Sequence, residues 1–249
     1  MIETQLQGTK IMRMVKMAAF GWWLFCLGFE TGRAGPAIEI PNPEFDFGLT
    51  CQRAQIAHTF WIKSIGDDTL RITRIEPGCG CTKAPLQDST LGPGDSTALE
   101  LYFSTGSYRG PVAKRPYLET NIDEEKVMVR IKAELVPEPD TLMPITVSPF
   151  NLDVSQFTQK PRRKATFLIQ NKSDQDYDLM LVDWSRRHFA VELPPRVRGG
   201  ETVTGTVVVN EEVIPLEFSQ SLTFAISDSA QTRYTVPVTR MVRIKDAGK

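Results

Sequence analysis

The sequence predicts an all-β protein made of two tandem β-sandwich domains that follow an N-terminal signal segment. Three observations lead to this prediction: short runs of alternating apolar and polar residues, turn-forming residues between these runs, and an internal repeat. Hydrophobic residues make up 41% of the chain and charged residues 24%, which is typical of a folded globular protein. A length of 249 residues suits two domains of ordinary size.

Alternation with a period of two marks the strands, because successive side chains of a strand point to opposite faces. The segment from 127 to 135 alternates in this way, and Ala98 to Phe103 does the same. Shorter apolar pairs mark two further strands, and polar turn residues over 64–68 separate them. These pairs are Phe60 with Ile62 and Leu70 with Ile72. Strands of this length and spacing favour a sandwich.

Three landmarks of the first half recur in the second half at an offset of 106 or 107 residues. The pairs are Phe60 and Phe167, Gly94 and Gly200, and Val127 and Tyr234. Each copy has about 100 residues, which is the size of an immunoglobulin-like domain. We therefore predict one immunoglobulin-like domain over 36–136 and a second, cysteine-free one over 137–249. A proline-containing linker over 136–140 is predicted to separate them.

Residues 1–35 have the order of a signal peptide. Lys10, Arg13 and Lys16 precede an apolar run of 13 residues from Met17 to Phe29, and Ala34 suits a cleavage site. The run is too short to cross a bilayer comfortably. The alternatives are an uncleaved membrane anchor and a buried helix. This segment predicts an extracytoplasmic protein, in the periplasm or at the cell surface, that contacts a membrane only if the segment is retained.

Charge and motifs argue against several classes of function. The formal net charge is −1. Residues 36–136 carry 11 basic and 14 acidic side chains and residues 137–249 carry 14 of each, so neither half predicts a nucleic-acid partner. Gly-x-Ser-x-Gly, a phosphate-binding glycine loop and His-Glu-x-x-His do not occur in the sequence. We therefore predict no enzymatic activity and no organic cofactor.

The sequence Cys79-Gly80-Cys81-Thr82 carries the clearest chemical signal. In an extended strand, Cys79 and Cys81 would share one face with their Cα atoms roughly 6.5–7 Å apart, at the edge of what a disulfide tolerates. A turn at Gly80 would relax this limit. Export would leave three cysteines, because cleavage near Ala34 removes Cys26.

Three interpretations of the cysteines stay open. The first is structural: Cys51 forms a disulfide with Cys79 or Cys81, or the thiols are simply buried. In the second, Cys79 and Cys81 bind copper or zinc, with Cys51 or His58 as a third ligand. The third is thiol–disulfide exchange at Cys79 and Cys81, since a strained bridge is easily reduced.

Four segments occur in an order that resembles a known family. They are Phe45-Asp46-Phe47-Gly48, His58-Thr59-Phe60, Cys79-Gly80-Cys81-Thr82 and Pro93-Gly94-Asp95-Ser96. The order resembles a bacterial exported family of unknown function with a Cys-Gly-Cys-Thr signature, which is similar to Hydin-type and major-sperm-protein-type immunoglobulin-like domains. The resemblance covers 43–135 well and 145–244 as a degenerate copy. It implies an all-β, non-enzymatic, extracytoplasmic module and names no ligand.

The leading functional prediction is a non-enzymatic extracytoplasmic binding or scaffold protein. Its partner would be a protein or a component of the cell envelope, bound by strand addition at an exposed sheet edge. The alternative is a thiol-based copper, zinc or redox protein that acts through Cys79 and Cys81. Two short basic runs, over 162–164 and 186–187, are predicted to be solvated loops and strand ends, with an anionic partner as the alternative.

Overall fold

The computed structural model describes residues 35–122, 126–137 and 141–243. The predicted signal segment and most of the predicted linker lie outside these ranges, so the domain boundary stays a prediction. Within the described ranges the chain folds almost entirely into β-strands and contains no α-helix. The prediction of an all-β sandwich fold is therefore confirmed.

The described residues before 138 form eleven strands, and most of the longer ones alternate between buried and exposed positions as the sequence predicts. They are β1 (Ile38–Glu39), β2 (Glu44–Cys51), β3 (Gln55–Ser64), β4 (Leu70–Glu76), β5 (Thr82–Lys83), β6 (Thr90–Leu91), β7 (Ser96–Ser104), β8 (Gly110–Lys114), β9 (Tyr117–Thr120), β10 (Val127–Met128) and β11 (Arg130–Val136). The segment from 127 to 135, predicted as one strand, is two. It is divided at Val129 because β10 pairs with β9, whereas β11 pairs with β2 and β8.

Nine strands follow residue 140, with a short 3-10 helix before the last two. They are β12 (Ile145–Ser148), β13 (Leu152–Asp153), β14 (Lys164–Asn171), β15 (Tyr177–Trp184), β16 (Phe189–Glu192), β17 (Arg196–Val197), β18 (Thr202–Val209), the 3-10 helix (Glu211–Val213), β19 (Phe218–Ile226) and β20 (Arg233–Arg240). The landmark residue Phe167 is fully buried in β14, as Phe60 is buried in β3. Both phenylalanines thus belong to hydrophobic cores.

The two halves use the same strand pairings. One four-stranded sheet has the order β1-β3-β7-β5 and its counterpart has the order β12-β14-β18-β16. β4 pairs with β6 and β9, as β15 pairs with β17 and β19. β2 runs parallel to β11, as β13 runs parallel to β20. Buried side chains from these strands form one hydrophobic core in each half.

A continuous sheet joins the halves, because β2 of the first half lies beside β20 of the second. The contact is brief: Leu49 and Tyr234 are the paired residues. Buried hydrogen bonds reinforce it. The Thr50 hydroxyl donates to the Thr235 carbonyl oxygen at 2.8 Å, and the Ser221 hydroxyl donates to the Ala57 carbonyl oxygen at 3.0 Å. Such buried, satisfied polar contacts hold the two halves in one compact unit.

Candidate functional site

The cysteine turn connects β4 to β5, and its cysteines form a disulfide with each other. The segment is a turn and not an extended strand, so the Cα atoms of Cys79 and Cys81 are 5.2 Å apart, well inside the range that disulfides occupy. Backbone hydrogen bonds hold the turn on both sides. The Thr82 N–H donates to the Cys79 carbonyl oxygen at 3.2 Å, and the Ser104 N–H donates to the Cys81 carbonyl oxygen at 2.8 Å.

Two hydroxyl groups point at the disulfide sulfurs. The Thr82 hydroxyl lies 3.3 Å from Cys79 Sγ and 3.9 Å from Cys81 Sγ, and the Tyr108 hydroxyl lies 3.7 Å from Cys81 Sγ. A disulfide sulfur carries no hydrogen, so the hydroxyls are the donors. The same donors would stabilise a thiolate if the bridge opened.

A positive charge lies close to this group. The Lys114 ammonium sits over the Tyr108 ring, 4.5 Å from its centroid, and 5.4 Å from the centroid of the Phe103 ring. Lys114 is the last residue of β8, so the cysteine turn and the edge strand β8 are linked through Tyr108. Sequence reasoning missed Tyr108 and Lys114, because no local pattern connects them to a cysteine about 30 residues earlier.

The bridge contributes little to stability. It closes a loop of three residues, for which the chain-entropy relation gives about 1.6 kcal/mol, against about 3 kcal/mol for a 15-residue loop. The turn also has its own backbone hydrogen bonds. Stabilisation of the fold therefore explains the presence of the bridge poorly.

Cys51 does not pair with Cys79 or Cys81, which corrects the first interpretation of the cysteines. Cys51 is a free thiol, only 9% exposed, and it packs in the core of the second half. Its Sγ lies 3.2 Å from the Phe150 carbonyl oxygen. Burial raises the pKa of this thiol to about 11, which makes Cys51 inert at neutral pH.

His58 also lies away from the cysteine pair. Its ring stacks on Phe45 with the centroids 3.8 Å apart, and its Nδ1 lies 2.7 Å from Asp183 Oδ2 in the second half. The described residues contain no group of three or more His, Cys, Asp or Glu side chains that could hold a metal ion. The structure therefore does not bring either suggested third ligand, Cys51 or His58, to Cys79 and Cys81.

The two basic runs make contacts within the chain. Arg163 forms an ion pair with Glu211 at 2.9 Å, and the Arg186 guanidinium lies 4.5 Å from the centroid of the Trp184 ring. The Arg162 carbonyl oxygen accepts a hydrogen bond from the buried Arg240. These contacts fit the prediction of ordinary loops and strand ends.

A groove of about 770 Å³ lies where the two halves meet. Its floor is β11, with Arg130, Lys132 and Glu134 among the lining residues. One wall is the edge strand β8 at 111–113, and the other is the turn at 230–233 that leads into β20. The volume is in the range of ligand sites in proteins. The disulfide is not among the residues that line the groove.

A glycine allows the second half to approach the groove. Gly48 has a φ of +64°, and a Cβ atom there would overlap the backbone carbonyl group of Arg233. The pairing of β2 with β11 shifts register at this point, so Gly48 lies in a β-bulge. The Arg233 guanidinium then donates to the Asp46 carbonyl oxygen at 2.9 Å. The Phe47-Gly48 pair of the sequence motif is thus the place where the halves meet.

The charges of the groove are mixed. Glu44 lies 2.9 Å from Lys132 Nζ and 3.4 Å from Arg130. Its hydrogen bond with Lys132 is the main reason that the pKa of the Glu44 carboxyl is lowered, and Arg130 adds to the effect. Arg130 Nε is buried without a hydrogen-bond partner in the described part of the chain.

The first half of the chain is similar to a family without known function. Residues 38–135 match a family described as "Protein of unknown function (DUF1573)". No curated protein matches the chain. The similarity of the first half to a family of unknown function is confirmed at this level, while the Cys-Gly-Cys-Thr signature and export stay predictions.

Solved structures similar to this chain have low sequence identity. A protein of unknown function from Porphyromonas gingivalis W83 is 13% identical, with 83% of this chain and 99% of that chain covered and a TM-score of 0.36. The ASH/PapD-like domain of human CEP192 is 10% identical, with 53% and 99% covered and a TM-score of 0.34. WR4, an MSP family member of C. elegans, is 11% identical, with 40% and 97% covered and a TM-score of 0.29.

Proposed function

We propose that this protein is a non-enzymatic binding module outside the cytoplasm, and that an extended segment of a partner protein pairs with the open edge of β8. The observation that carries the proposal is the open edge of β8. Among the described strands, β8 pairs with β11 on one side and with no strand on the other. An open edge beside a groove suits strand addition, in which backbone hydrogen bonds supply affinity.

The residues of β8 determine which backbone groups a partner would meet. Successive residues of an antiparallel edge strand alternate between bonding to the neighbour and pointing outward. Pro111 has no N–H to donate, so we expect it to occupy an outward-pointing position. Ala113 then shares this orientation, and its N–H and carbonyl oxygen face the open side. Ala113 is exposed, so nothing in the described chain covers these groups.

The extracytoplasmic location rests on residues 1–35, which have the order of a signal peptide. No helix in the described part of the chain has the length and apolarity that crossing a bilayer requires. The partner is accordingly proposed to be a protein of the cell envelope.

Site-specific crosslinking with two matched variants tests the proposal. The protein carries a photo-crosslinking amino acid at Arg109, the exposed residue directly before β8, and is expressed in the producing cell with either Ala113→Pro or Ala113→Val. Proline removes the outward N–H, whereas valine keeps it. We expect a crosslinked envelope protein with Ala113→Val and about tenfold less of it with Ala113→Pro, because the variant loses a hydrogen bond and blocks strand pairing.

Two controls make the result decisive. The crosslinker at Thr204, an exposed residue of β18 outside the groove, should capture no such partner. Thermal unfolding should show that Ala113→Pro and Ala113→Val are similarly stable. Equal crosslinking yields in the two Ala113 variants would contradict strand addition at β8.

A further inference from the structure

We infer that the Cys79–Cys81 disulfide is a thiol–disulfide exchange site, which accepts two electrons from a dithiol while the sandwich stays folded. The edge of β8 and its proposed partner play no part in this inference. It rests on the access to the disulfide, on the hydroxyl groups around it, and on a turn that keeps its shape without the bridge.

The disulfide is accessible to an attacking thiolate. Cys79 and Cys81 are both partly exposed, and Gly80 between them is exposed. A Cβ atom on Gly80 would meet no atom within 4 Å, so the space in front of the turn is open. A partner thiol can approach the bridge from this side. Cys51, by contrast, is buried and cannot be reached without unfolding.

The turn keeps its shape when the bridge opens. The hydrogen bonds of Thr82 N–H and Ser104 N–H to the carbonyl oxygens of Cys79 and Cys81 involve no sulfur. In the second half, the turn over 185–188 occupies the same position between β15 and β16, and it contains no cysteine. The fold therefore accommodates this turn without a disulfide.

The two sulfurs differ in their surroundings, and the difference assigns their roles. Cys81 Sγ has the Tyr108 hydroxyl at 3.7 Å, and the Lys114 ammonium lies over the Tyr108 ring. The Thr82 hydroxyl lies nearer to Cys79 Sγ than to Cys81 Sγ, at 3.3 Å against 3.9 Å. Cys79 Sγ has the Thr82 hydroxyl alone among the described side chains with a hydrogen bond to it. Hydroxyl donors and a nearby cation stabilise a thiolate. Cys81 is thus the leaving sulfur and Cys79 the sulfur that is attacked.

The exchange balances in two steps. A thiolate of the partner attacks Cys79 Sγ, a partner–Cys79 disulfide forms, the Cys79–Cys81 bond breaks, and its electron pair stays on Cys81 Sγ. The second thiolate of the partner then attacks the partner's first sulfur, which is bonded to Cys79 in this mixed disulfide, and Cys79 leaves as a thiolate. The partner is oxidised to a disulfide, Cys79 and Cys81 are reduced, and the two protons of the partner's thiols end on Cys79 and Cys81.

The experiment uses the full chain and two defined thiols. Dithiothreitol serves for the rate of reduction, and reduced glutathione, which has a single thiol, serves to trap the mixed disulfide. Free thiols are alkylated at each time point and located by peptide mass spectrometry. We expect reduction of Cys79–Cys81 in the native protein, with glutathione on Cys79, alkylation on Cys81, and no alkylation of Cys51.

A matched pair of tyrosine variants tests the role of the hydroxyl. Tyr108→Phe removes the donor to Cys81 and keeps the ring, and we expect about threefold slower reduction. Tyr117→Phe is the matched control. It also removes the hydroxyl of a tyrosine that lies under a lysine, because the Lys126 ammonium is 4.5 Å from the centroid of the Tyr117 ring. It should react at the wild-type rate.

Four results would overturn the inference. Cys51 alkylated as fast as the bridge opens would mean that reduction requires unfolding. Glutathione found on Cys81 would reverse the assigned roles, and an unchanged rate in Tyr108→Phe would remove the stabilised leaving sulfur. A reduced pair that retains added zinc or copper and forms no mixed disulfide would make the turn a metal site.

Discussion

The turn over 79–82 in the first half and the turn over 185–188 in the second half occupy the same place in the strand order, and different bonds hold them. A disulfide closes the first turn. In the second, the Ser185 hydroxyl and His188 Nδ1 lie 2.6 Å apart, and the His188 N–H donates to the Ser185 carbonyl oxygen at 3.0 Å. The first turn can respond to thiols and the second to protons, although the same strands flank both.

A second pair of equivalent positions differs for a steric reason. Gly48 and Ser155 are 107 residues apart and make the same hydrogen bond. The backbone N–H of each donates to the carboxylate of the aspartate two residues earlier, Asp46 at 2.8 Å and Asp153 at 2.7 Å. Only Gly48 lies against the backbone of the other half, at Arg233. The comparison shows that the junction between the halves, and not the sandwich itself, requires the glycine.

The largest expected effect comes from replacing the glycine of this second comparison, Gly48. Gly48→Ala should lower the free energy of unfolding by roughly 3 kcal/mol, because alanine is strained at positive φ and its Cβ overlaps the Arg233 backbone. Gly94→Ala is the control: Gly94 also has positive φ, +82°, but a Cβ there meets no atom within 4 Å. Urea unfolding of both variants gives the difference, which isolates the contact between the halves. Equal losses would contradict the close approach at Gly48.

A smaller effect is expected when each turn loses its bond. The double change Cys79→Ser and Cys81→Ser should cost about 1.6 kcal/mol, and Ser185→Ala should cost about 1 kcal/mol. The unfolding free energy of the wild-type protein in dithiothreitol should match that of the double variant. The loss of unfolding free energy caused by Ser185→Ala should be the same with and without dithiothreitol. A loss above about 4 kcal/mol in the double variant would show that the first half depends on its bridge.

The smallest expected effect is a dependence on pH that belongs to the second turn alone. Burial lowers the pKa of His188 below its ordinary value of 6.5, and Arg187 adds to this while Glu100 opposes it. The unfolded chain therefore binds the proton more readily than the folded chain. Stability should fall as the pH drops through 6.5 towards the lowered pKa, and be unaffected by His188 above 6.5.

Comparison of wild type with His188→Gln measures this effect, since the variant keeps a polar side chain and does not titrate. The difference in unfolding free energy between the two proteins should change between about pH 7.5 and about pH 5.5. The double cysteine-to-serine variant is the control, and its difference from wild type should stay constant, because disulfide cysteines do not titrate. A constant difference for His188→Gln would show that the second turn does not respond to protons.

Much of the fold could be predicted from the sequence, because strand faces are a local property. The alternation of Leu99, Leu101 and Phe103 with polar residues predicts the buried face of β7, and the structure buries all three. The break at Val129 could not be predicted, because β10 and β11 both alternate and only their partner strands differ. The sequence left open whether Cys79 to Cys81 is extended or turns at Gly80, and in the structure Gly80 lies in a turn.

The sites were less predictable, because their parts lie far apart in the chain. Sequence reasoning selected Cys79 and Cys81, but the hydroxyl of Tyr108 reaches them only through the pairing of β5 with β7 and the loop that follows β7. Cys51 and His58 carry no local sign that one packs in the second core and the other pairs with Asp183, 125 residues away.

The sequence by itself determined that this chain is all-β, which faces of its strands are buried, and that Cys79 and Cys81 are neighbours, because each of these follows from residues a few positions apart. The tertiary structure alone decided which groups meet. The groove requires β8, β11 and the turn at 230–233 together, and the junction requires Arg233 to lie against Gly48. Contacts between residues so distant in the chain depend on how whole sheets pack, which no short pattern of residues records.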